Sequence, residues 1–495
     1  MLAPDASTAV ETLFNPGSIT VLGASSQPSK WGNIIPGNIL GGGYRGRLFL
    51  VNPRGGTIHG IPVYRSVEEV PGPLDLVMMT IPAEAVEGEL EACGRAGARV
   101  VIVISGGFSE SSAEGRRLEE RMVKRAHAAG LRVVGPNTMG IYTAPHSLTA
   151  LMPPVRPLPG AIAFAAQSGN LGTQMLGFGA YRGVGFSRFV CIGNECDLDF
   201  VDYVQYFAKD ERTRAILLYV EGFKRPRRFL EVAKEISLRK PIVIYKAGGT
   251  PAGSTAAASH SAALAGSEEV YAGMISQLGL AHARTTEEML DISDALVKMP
   301  LPRGDRVAVL TWGGGWGVVT ADLCEREGLK VPPLPPAVKE RMGSMLPSYW
   351  SKGNPVDLVG VFDIQAHIRC LEELAACDAF DAVISLGTVN ANVSFRGMIE
   401  REWSHMDQAS KEKVRVHMKE MTESFVRTVL DLTEKHRKPI VTVGMPQRES
   451  EMDLLPEDSR RMCIYTTPER AVRVMGALVR RGRFLRERGL AEEAD

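Results

Sequence analysis

One histidine stands in a stretch of small residues, Ala256-Ala-Ala-Ser259-His260-Ser-Ala-Ala-Leu-Ala-Gly266-Ser267, where a helix is expected to begin. An imidazole so placed can take up a phosphoryl group and pass it on. The preceding loop, Lys246-Ala-Gly-Gly-Thr-Pro-Ala-Gly253, is rich in residues that let backbone N–H groups converge on an anion, and a helix start adds partial positive charge. Taken alone, His260 is more simply an ordinary histidine at the start of a surface helix. Glu221 follows the apolar run Ile216–Val220 and so falls at the end of an expected strand. A carboxylate there can hold one ring nitrogen of a histidine, fix its tautomer and leave the other nitrogen nucleophilic. A helix cap or a salt bridge explains Glu221 equally well.

Three further loops could complete an anion site. Gln167-Ser168-Gly169-Asn170-Leu-Gly172 lies between an expected strand and helix, which offers a second helix start to a phosphate. Gly193-Asn194-Glu-Cys-Asp-Leu-Asp199 follows another strand; Asn194 is the expected pocket member and the acids are read as capping groups. Asp197 and Asp199 have no companions that would form a metal constellation, so no metal site is assigned.

A separate group of small and polar residues recurs after the strands of the N-terminal third: Gly23-Ala24-Ser25, Val51-Asn52-Pro53, Ile81-Pro82, Ser105-Gly106 and Pro136-Asn137. Open α/β sheets bind their ligands at that edge, so the joint placement favours a nucleotide-like ligand. Gly23 does not open a GxGxxG motif, and the second strand ends at Asn52 where a dinucleotide site usually offers an acid to the ribose. NAD is therefore disfavoured, and with it a Rossmann oxidoreductase; coenzyme A remains open. Trp31 could stack on an adenine or simply pack.

The elements that must hold these residues are legible as alternation. Runs at Ile19–Leu22, Arg47–Val51, Leu74–Thr80, Ala98–Ile104 and Arg132–Val134 read as strands separated by helices, which predicts a right-handed, doubly wound parallel sheet. The Pro-rich piece 151–160 reads as a linker. A second alternating unit contains strands at Ala161–Ala165, Arg188–Ile192, Ala215–Tyr219 and Ile242–Tyr245. A third opens at Arg306-Val-Ala-Val-Leu-Thr311-Trp312-Gly-Gly-Gly-Trp316-Gly317 and has strands near Ala382–Leu386 and Ile440–Val443. The rhyme between Gln167–Gly172 and Trp312–Gly317 predicts two related flavodoxin-like domains. The stretch 400–438 is expected to be helical, and the basic C-terminal stretch through Arg488 to be a solvated helix.

Composition narrows the partners. Lys+Arg and Asp+Glu are both 57 in 495 residues, which gives no electrostatic reason for nucleic acid or a membrane surface. The seven cysteines form no CxxC pair, as suits a reducing compartment. No signal peptide and no apolar run of membrane-spanning length is seen, so a cytoplasmic protein is expected.

Taken in order, Val21-Leu-Gly-Ala-Ser25, Val51-Asn-Pro53, Gly135-Pro-Asn137, Gln167-Ser-Gly169, Ile192-Gly-Asn194, Glu221-Gly222, Ser259-His260 with Leu264-Ala-Gly-Ser267, and Asn354-Pro-Val-Asp357 form a set. It resembles the NDP-forming acyl-CoA synthetases, relatives of succinyl-CoA synthetase, in their α-type subunit. The resemblance implies a Rossmann-like CoA-binding domain (1–148) and two flavodoxin-like ligase domains (158–300, carrying the phosphohistidine loop, and 304–485). It implies that His260 is the phosphohistidine, Glu221 its supporting carboxylate, and Gln167, Ser168, Gly169, Asn170, Asn194 and Ser259 the phosphate and acyl contacts. CoA would lie against Gly23, Ala24, Ser25, Val51, Asn52, Pro53, Ile81, Pro82, Ser105, Gly106, Pro136 and Asn137. In that family acyl-CoA and phosphate give an acyl phosphate and CoA, and the phosphoryl group passes through histidine to ADP or GDP. No ATP-grasp module is recognised after the third unit. The resemblance thus implies a β-type ATP-grasp partner holding ADP/ATP (or GDP/GTP) with Mg2+, in an α2β2 assembly, acting on a small carboxylic acid. A non-catalytic CoA-binding regulatory or scaffold protein of the same fold is the alternative. Trp312 and Trp316 depart from the family's Asn-Ala-Gly-Gly-Pro type of turn, at an acyl pocket or a subunit contact.

Overall fold

The computed structural model of the chain describes residues 3–253, 268–360, 363–387, 405–444 and 462–490. Ser259, His260 and the 264–267 end of their motif lie outside the described residues. Short β-branched runs that are apolar on both faces need helices on both faces, and each of the three sheets is built from such runs.

The first sheet contains β1 (Ser18–Leu22), β2 (Arg47–Val51), β3 (Thr57–Ile58), β4 (Ile61–Tyr64), β5 (Leu76–Met79), β6 (Val100–Val103) and β7 (Arg132–Val134), in the order β3-β4-β2-β1-β5-β6-β7. All neighbours are parallel except β3 and β4. Leaving out β3, this is the 3-2-1-4-5-6 Rossmann order, with its switch of winding between β1 and β5. The two-residue period of a strand divides the core. Ile19, Val21, Met78 and Ile102 pack into one hydrophobic cluster, whereas Leu22, Val77, Met79, Val101 and Val103 pack into another.

The second sheet contains β8 (Gly140–Thr143), β9 (Leu148–Leu151), β10 (Pro159–Ala166), β11 (Phe186–Cys191), β12 (Ala215–Val220), β13 (Ile242–Lys246) and β14 (Ala281–His282), in the order β14-β13-β12-β10-β11-β8-β9. The third contains β15 (Val307–Thr311), β16 (Val356–Asp357), β17 (Ala382–Leu386), β18 (Ile440–Val443) and β19 (Ile464–Tyr465), in the order β16-β15-β17-β18-β19. Without the β8–β9 hairpin, both follow the flavodoxin order 2-1-3-4-5. The chain divides into two compact units, Met1–Met289 and Leu290–Asp495, so the first two sheets share a unit and the third stands in the other.

Two expectations are corrected. The chain leaves the first sheet before the Pro-rich piece: β8 already pairs antiparallel with β11, and 151–160 runs from the end of β9 into the start of β10 of the second sheet. The hairpin is a short polar and apolar mixture that carries no parallel-sheet pattern. The C-terminal helix Pro468–Arg486 is packed rather than solvated, burying Val472, Met475, Leu478, Val479 and Leu485. Every residue from Val474 to Val479 is buried, and so is Arg481, so the helix is packed on most of its circumference despite its arginines.

In the first unit, the loop after β11 runs alongside β7. The Leu198 N–H donates to the Val133 carbonyl at 3.4 Å, and the Cys196 N–H donates to the Gly135 carbonyl at 3.1 Å. Asp197 accepts from Arg132 Nε and Nη2 and from the Val133 N–H at 2.8–3.0 Å. The ion pair holds the Asp197 carboxyl below its usual range even though burial opposes ionisation. This strapping brings the C-terminal edges of the first two sheets together.

Candidate active site

At the winding switch of the first sheet, β1 ends and the chain must turn sharply into the helix Trp31–Gly42. Gly23 takes φ +94°, and its N–H and that of Ala24 both donate to the Val51 carbonyl at 3.0 and 3.1 Å. Gly32 in the first helical turn lies so close to that turn that a Cβ would sit 2.1 Å from the Gly23 carbonyl oxygen. Asn52 Nδ2 donates to the Ala24 carbonyl at 2.8 Å, and Thr80 Oγ1 donates to the carbonyls of Leu22 and Gly23. Ser105 Oγ donates to the Ile81 carbonyl, and the Asn137 N–H donates to the Ser105 carbonyl at 3.0 Å. The structure therefore brings the expected residues Gly23–Ser25, Val51–Pro53, Ile81–Pro82, Ser105–Gly106 and Pro136–Asn137 to one edge. Pro53, Pro82, Gly106 and Asn137 are exposed there, as a ligand edge requires, while Pro136 is buried. Such an edge, with a glycine turn and a helix start, suits a phosphate-bearing ligand.

The corresponding edge of the second sheet is organised by one carboxamide. Gln167 stands between the end of β10 and the helix Gly169–Tyr181, whose N-cap is Ser168; Ser168 Oγ accepts from the Leu171 N–H at 3.4 Å. Gln167 Oε1 accepts from the backbone N–H groups of Glu221 and Gly222. Its Nε2 donates to the Gly222 carbonyl at 2.9 Å and to Glu195 Oε2 at 2.7 Å. All four polar positions of the amide are thus used, and the loops after β11 and β12 are tied to the start of the helix. Glu221 is 4% exposed at the end of β12, beside Lys246 at the end of β13, which pairs with Val220. Burial pushes the Lys246 ammonium pKa down and the Glu221 carboxylate opposes that shift. The ammonium lies 4.6 Å from the centre of the Tyr271 ring. Lys246, Gly248, Gly249, Thr250, Tyr271 and His282 line a cavity of about 270 Å³ at this edge.

Glu195, which the sequence reads as a capping group, holds Gln167 instead. It is 5% exposed and adopts φ +54°, a left-handed conformation that costs a residue with a Cβ roughly 1–2 kcal/mol. Its Oε1 accepts from the Phe200 N–H at 3.1 Å. Burial, with Asp199 adding to it, pushes its carboxyl up to about 8, against those two hydrogen bonds and Lys224. Asn194, the expected pocket residue, faces the other way: its Nδ2 donates to Ser109 Oγ, Glu110 Oε2 and Glu119 Oε2 at 3.2, 2.6 and 2.9 Å. Left-handed φ at both Gly193 and Glu195 turns the two side chains apart. Nothing in the sequence distinguishes Glu195, which holds Gln167, from Asp197, which pairs with Arg132, or from Asp199, which caps a helix; all three carboxylates are buried. Asn170 is exposed and holds Gln174 at 3.1 Å rather than facing Gln167. Gly169 belongs to the packing, since a Cβ there would meet Met139 and Cys191. Among the described residues no group of three or more His, Cys, Asp or Glu side chains is placed to hold a metal ion.

In the second unit the two tryptophans separate. Trp312 occupies the place after β15 that Gln167 occupies after β10, and its indole N–H donates to Nδ1 of the buried His367 at 2.5 Å. The donor fixes the tautomer, so Nε2–H donates to Ser385 Oγ at 2.9 Å. Burial pushes the His367 pKa down to about 3. Trp316, two residues into the helix Gly314–Arg326, is 55% exposed.

Comparison with known proteins places the chain in a family. Family models match a "CoA binding domain" at residues 17–144, a "Succinyl-CoA ligase like flavodoxin domain" at 159–296 and a "Ligase-CoA domain" at 307–370. The chain is 37% identical over 475 residues to the acetate–CoA ligase (ADP-forming) I subunit alpha of Pyrococcus furiosus, covering 95% of this chain and 97% of that one. It is 36% identical over 386 residues to the acetate–CoA ligase (ADP-forming) I of Archaeoglobus fulgidus, covering 78% of this chain and 56% of that longer protein. Among solved structures, a dinucleotide-forming acetyl-coenzyme A synthetase 1 from Ca. Korarchaeum cryptofilum, in complex with phosphate and ADP, superposes with a TM-score of 0.83. Identity there is 32%, covering 97% of this chain and 98% of that one.

Proposed function

The chain belongs to the α-type subunits of the ADP-forming acyl-CoA synthetases, acid–thiol ligases with a CoA-binding domain and flavodoxin-like domains, and on that premise we propose that it carries the phosphoryl group of the reaction on His260. Acyl-CoA bound at the Gly23–Asn52–Ile81 edge is attacked by phosphate at the edge of the second sheet. The C–S bond breaks, CoA leaves and an acyl phosphate forms. His260 attacks its phosphorus, releasing the carboxylic acid, and the phosphoryl group then moves to ADP on a separate β-type ATP-grasp subunit that holds the nucleotide with Mg2+.

The observation that carries this reading is the knot around Gln167. It presents the Glu221 carboxylate, buried and beside Lys246, at the strand end where a ligand of this fold binds. A carboxylate so fixed can hold one imidazole nitrogen and stabilise the cation-like phosphoimidazole, while the helix start at Ser168–Gly169 favours the transferred anion. The reaction is then chiefly a matter of positioning and charge, which preorganised N–H groups supply. Its test is the label: with the β-type subunit, acyl-CoA and radiolabelled phosphate, the chain gains an acid-labile, alkali-stable label. His260→Ala abolishes it while CoA binding stays, and Glu221→Gln reduces it. Labelling of His260→Ala, or its loss of CoA affinity, contradicts the assignment.

A further inference from the structure

The reaction proposed above leaves Glu195 without a part. It is a buried carboxyl in a left-handed backbone conformation, on the loop that joins the CoA-binding edge to the phosphoryl-transfer edge. Its two neighbours on that loop bind the first sheet: the Asn194 N–H donates to the Pro136 carbonyl at 3.0 Å and the Cys196 N–H donates to the Gly135 carbonyl. Gly193 lies against the same turn, 2.1 Å separating a notional Cβ from the Pro136 oxygen, so the loop has little freedom to shift. Glu195 points away from that contact, toward Gln167.

We infer that Glu195 is a positioning residue of the phosphate site: by accepting from Gln167 Nε2 it ties the carboxamide that anchors the Glu221–Gly222 turn to the loop after β11. An amide has one donor end and one acceptor end of nearly the same shape, so its orientation must be imposed by its partners. Two N–H groups, of Glu221 and Gly222, require the oxygen on one side. On the other side Gly222 O and Glu195 Oε2 require the NH2. Remove the Glu195 acceptor and one Nε2 proton is stranded, the carboxamide is held only by the Glu221–Gly222 turn, and that turn loses its tie to the loop after β11. Burial and the neighbouring Asp199 push the Glu195 carboxyl up to about 8, against its two hydrogen bonds and Lys224. Glutamine cannot replace it, because the Phe200 N–H and Gln167 Nε2 are both donors and a carboxamide offers an oxygen to only one of them.

This inference rests on the site assignment above, and two measurements keep them apart. Calorimetric titration of the full chain with inorganic phosphate, and separately with CoA, compares wild type, Glu195→Gln, Gln167→Ala and the double variant. The expected result is about tenfold weaker phosphate binding in Glu195→Gln, the size of one lost hydrogen bond to a positioned group, with CoA affinity unchanged. On the Gln167→Ala background the same substitution should add less than twofold, since it acts through Gln167. Wild-type phosphate affinity in Glu195→Gln, a parallel loss of CoA affinity, or independent multiplying effects in the double variant would overturn it, as would a wild-type chain that binds no phosphate. If Glu195→Gln does not fold, Glu195→Asp, one methylene short of Gln167, is measured against the same expectations. The His260 label reports on the underlying reading by itself: a wild-type chain that binds phosphate with the expected coupling but takes no label would sink the phosphohistidine and leave Glu195 in place.

Discussion

Replacing Gln167 by leucine removes a single side chain but strands four polar groups. The N–H groups of Glu221 and Gly222, the Gly222 carbonyl and Glu195 Oε2 all take their partner from that carboxamide. Glu221, Gly222 and Glu195 are buried, so water does not replace it without rearrangement. At roughly 1–3 kcal/mol for each buried group left unsatisfied, with some relief as the loop relaxes, the cost is about 5 kcal/mol. Gln167→Glu is the informative contrast. It keeps an acceptor for both N–H groups, leaves the Gly222 carbonyl without its donor and exchanges the bond to Glu195 for a carboxyl pair that shares a proton, so about 2 kcal/mol is expected at pH 6, rising with pH. Two assays read this: chemical denaturation followed by circular dichroism, and hydrogen exchange by mass spectrometry over the 215–223 peptide. Leucine should speed exchange of the Glu221 and Gly222 amides strongly, and glutamate should protect them nearly as wild type does. A leucine variant within 1 kcal/mol of wild type, or equal exchange in both variants, would refute the reasoning.

Three other outcomes follow from the geometry. Because the Glu195 carboxyl is raised from 4.5 to about 8, the folded chain holds a proton that the unfolded chain releases. Its contribution is full below pH 4.5 and falls as pH rises to 8, by about 3 kcal/mol at pH 7, so melting temperatures of Glu195→Gln and wild type should converge or cross in the variant's favour as pH rises. His367 titrates in the opposite sense: with its pKa lowered from 6.5 to about 3, only the unfolded chain is protonated in between. Wild type should lose about 2 kcal/mol on going from pH 6.5 to pH 5, and His367→Gln should lose that slope, measured by thermal unfolding. Gly32→Ala places a methyl group 2.1 Å from the Gly23 carbonyl oxygen and should weaken CoA binding at least tenfold by forcing the turn open, read by calorimetry.

Much of this fold is legible because parallel βα units repeat one pattern. An apolar run followed by small or polar residues marks both a strand end and a ligand edge, which is how Gly23, Asn52 and Ser105 are read as one group and Gln167 as the start of another. What is not legible in the sequence depends on contacts between residues far apart along it. Trp312 meets His367, which is 55 residues away, and no local pattern announces that pair. Glu195 and Asn194 exchange their expected places because of two left-handed residues, and a glutamate with positive φ has no composition signature. The β8–β9 hairpin joins the second sheet through an antiparallel pairing that ends ahead of the proline-rich stretch, so the prolines mark a surface loop within that sheet rather than the crossing.

The most direct test of the account is transfer of phosphate to the chain itself. Wild type and His260→Ala are each combined with a β-type subunit shown to bind them, then incubated with radiolabelled phosphate and a panel of acyl-CoAs. The account predicts acid-labile, alkali-stable label in wild type alone, dependent on one class of acyl-CoA and discharged by ADP. Label of that kind in His260→Ala, or none in a wild-type complex whose partner is bound, would contradict it.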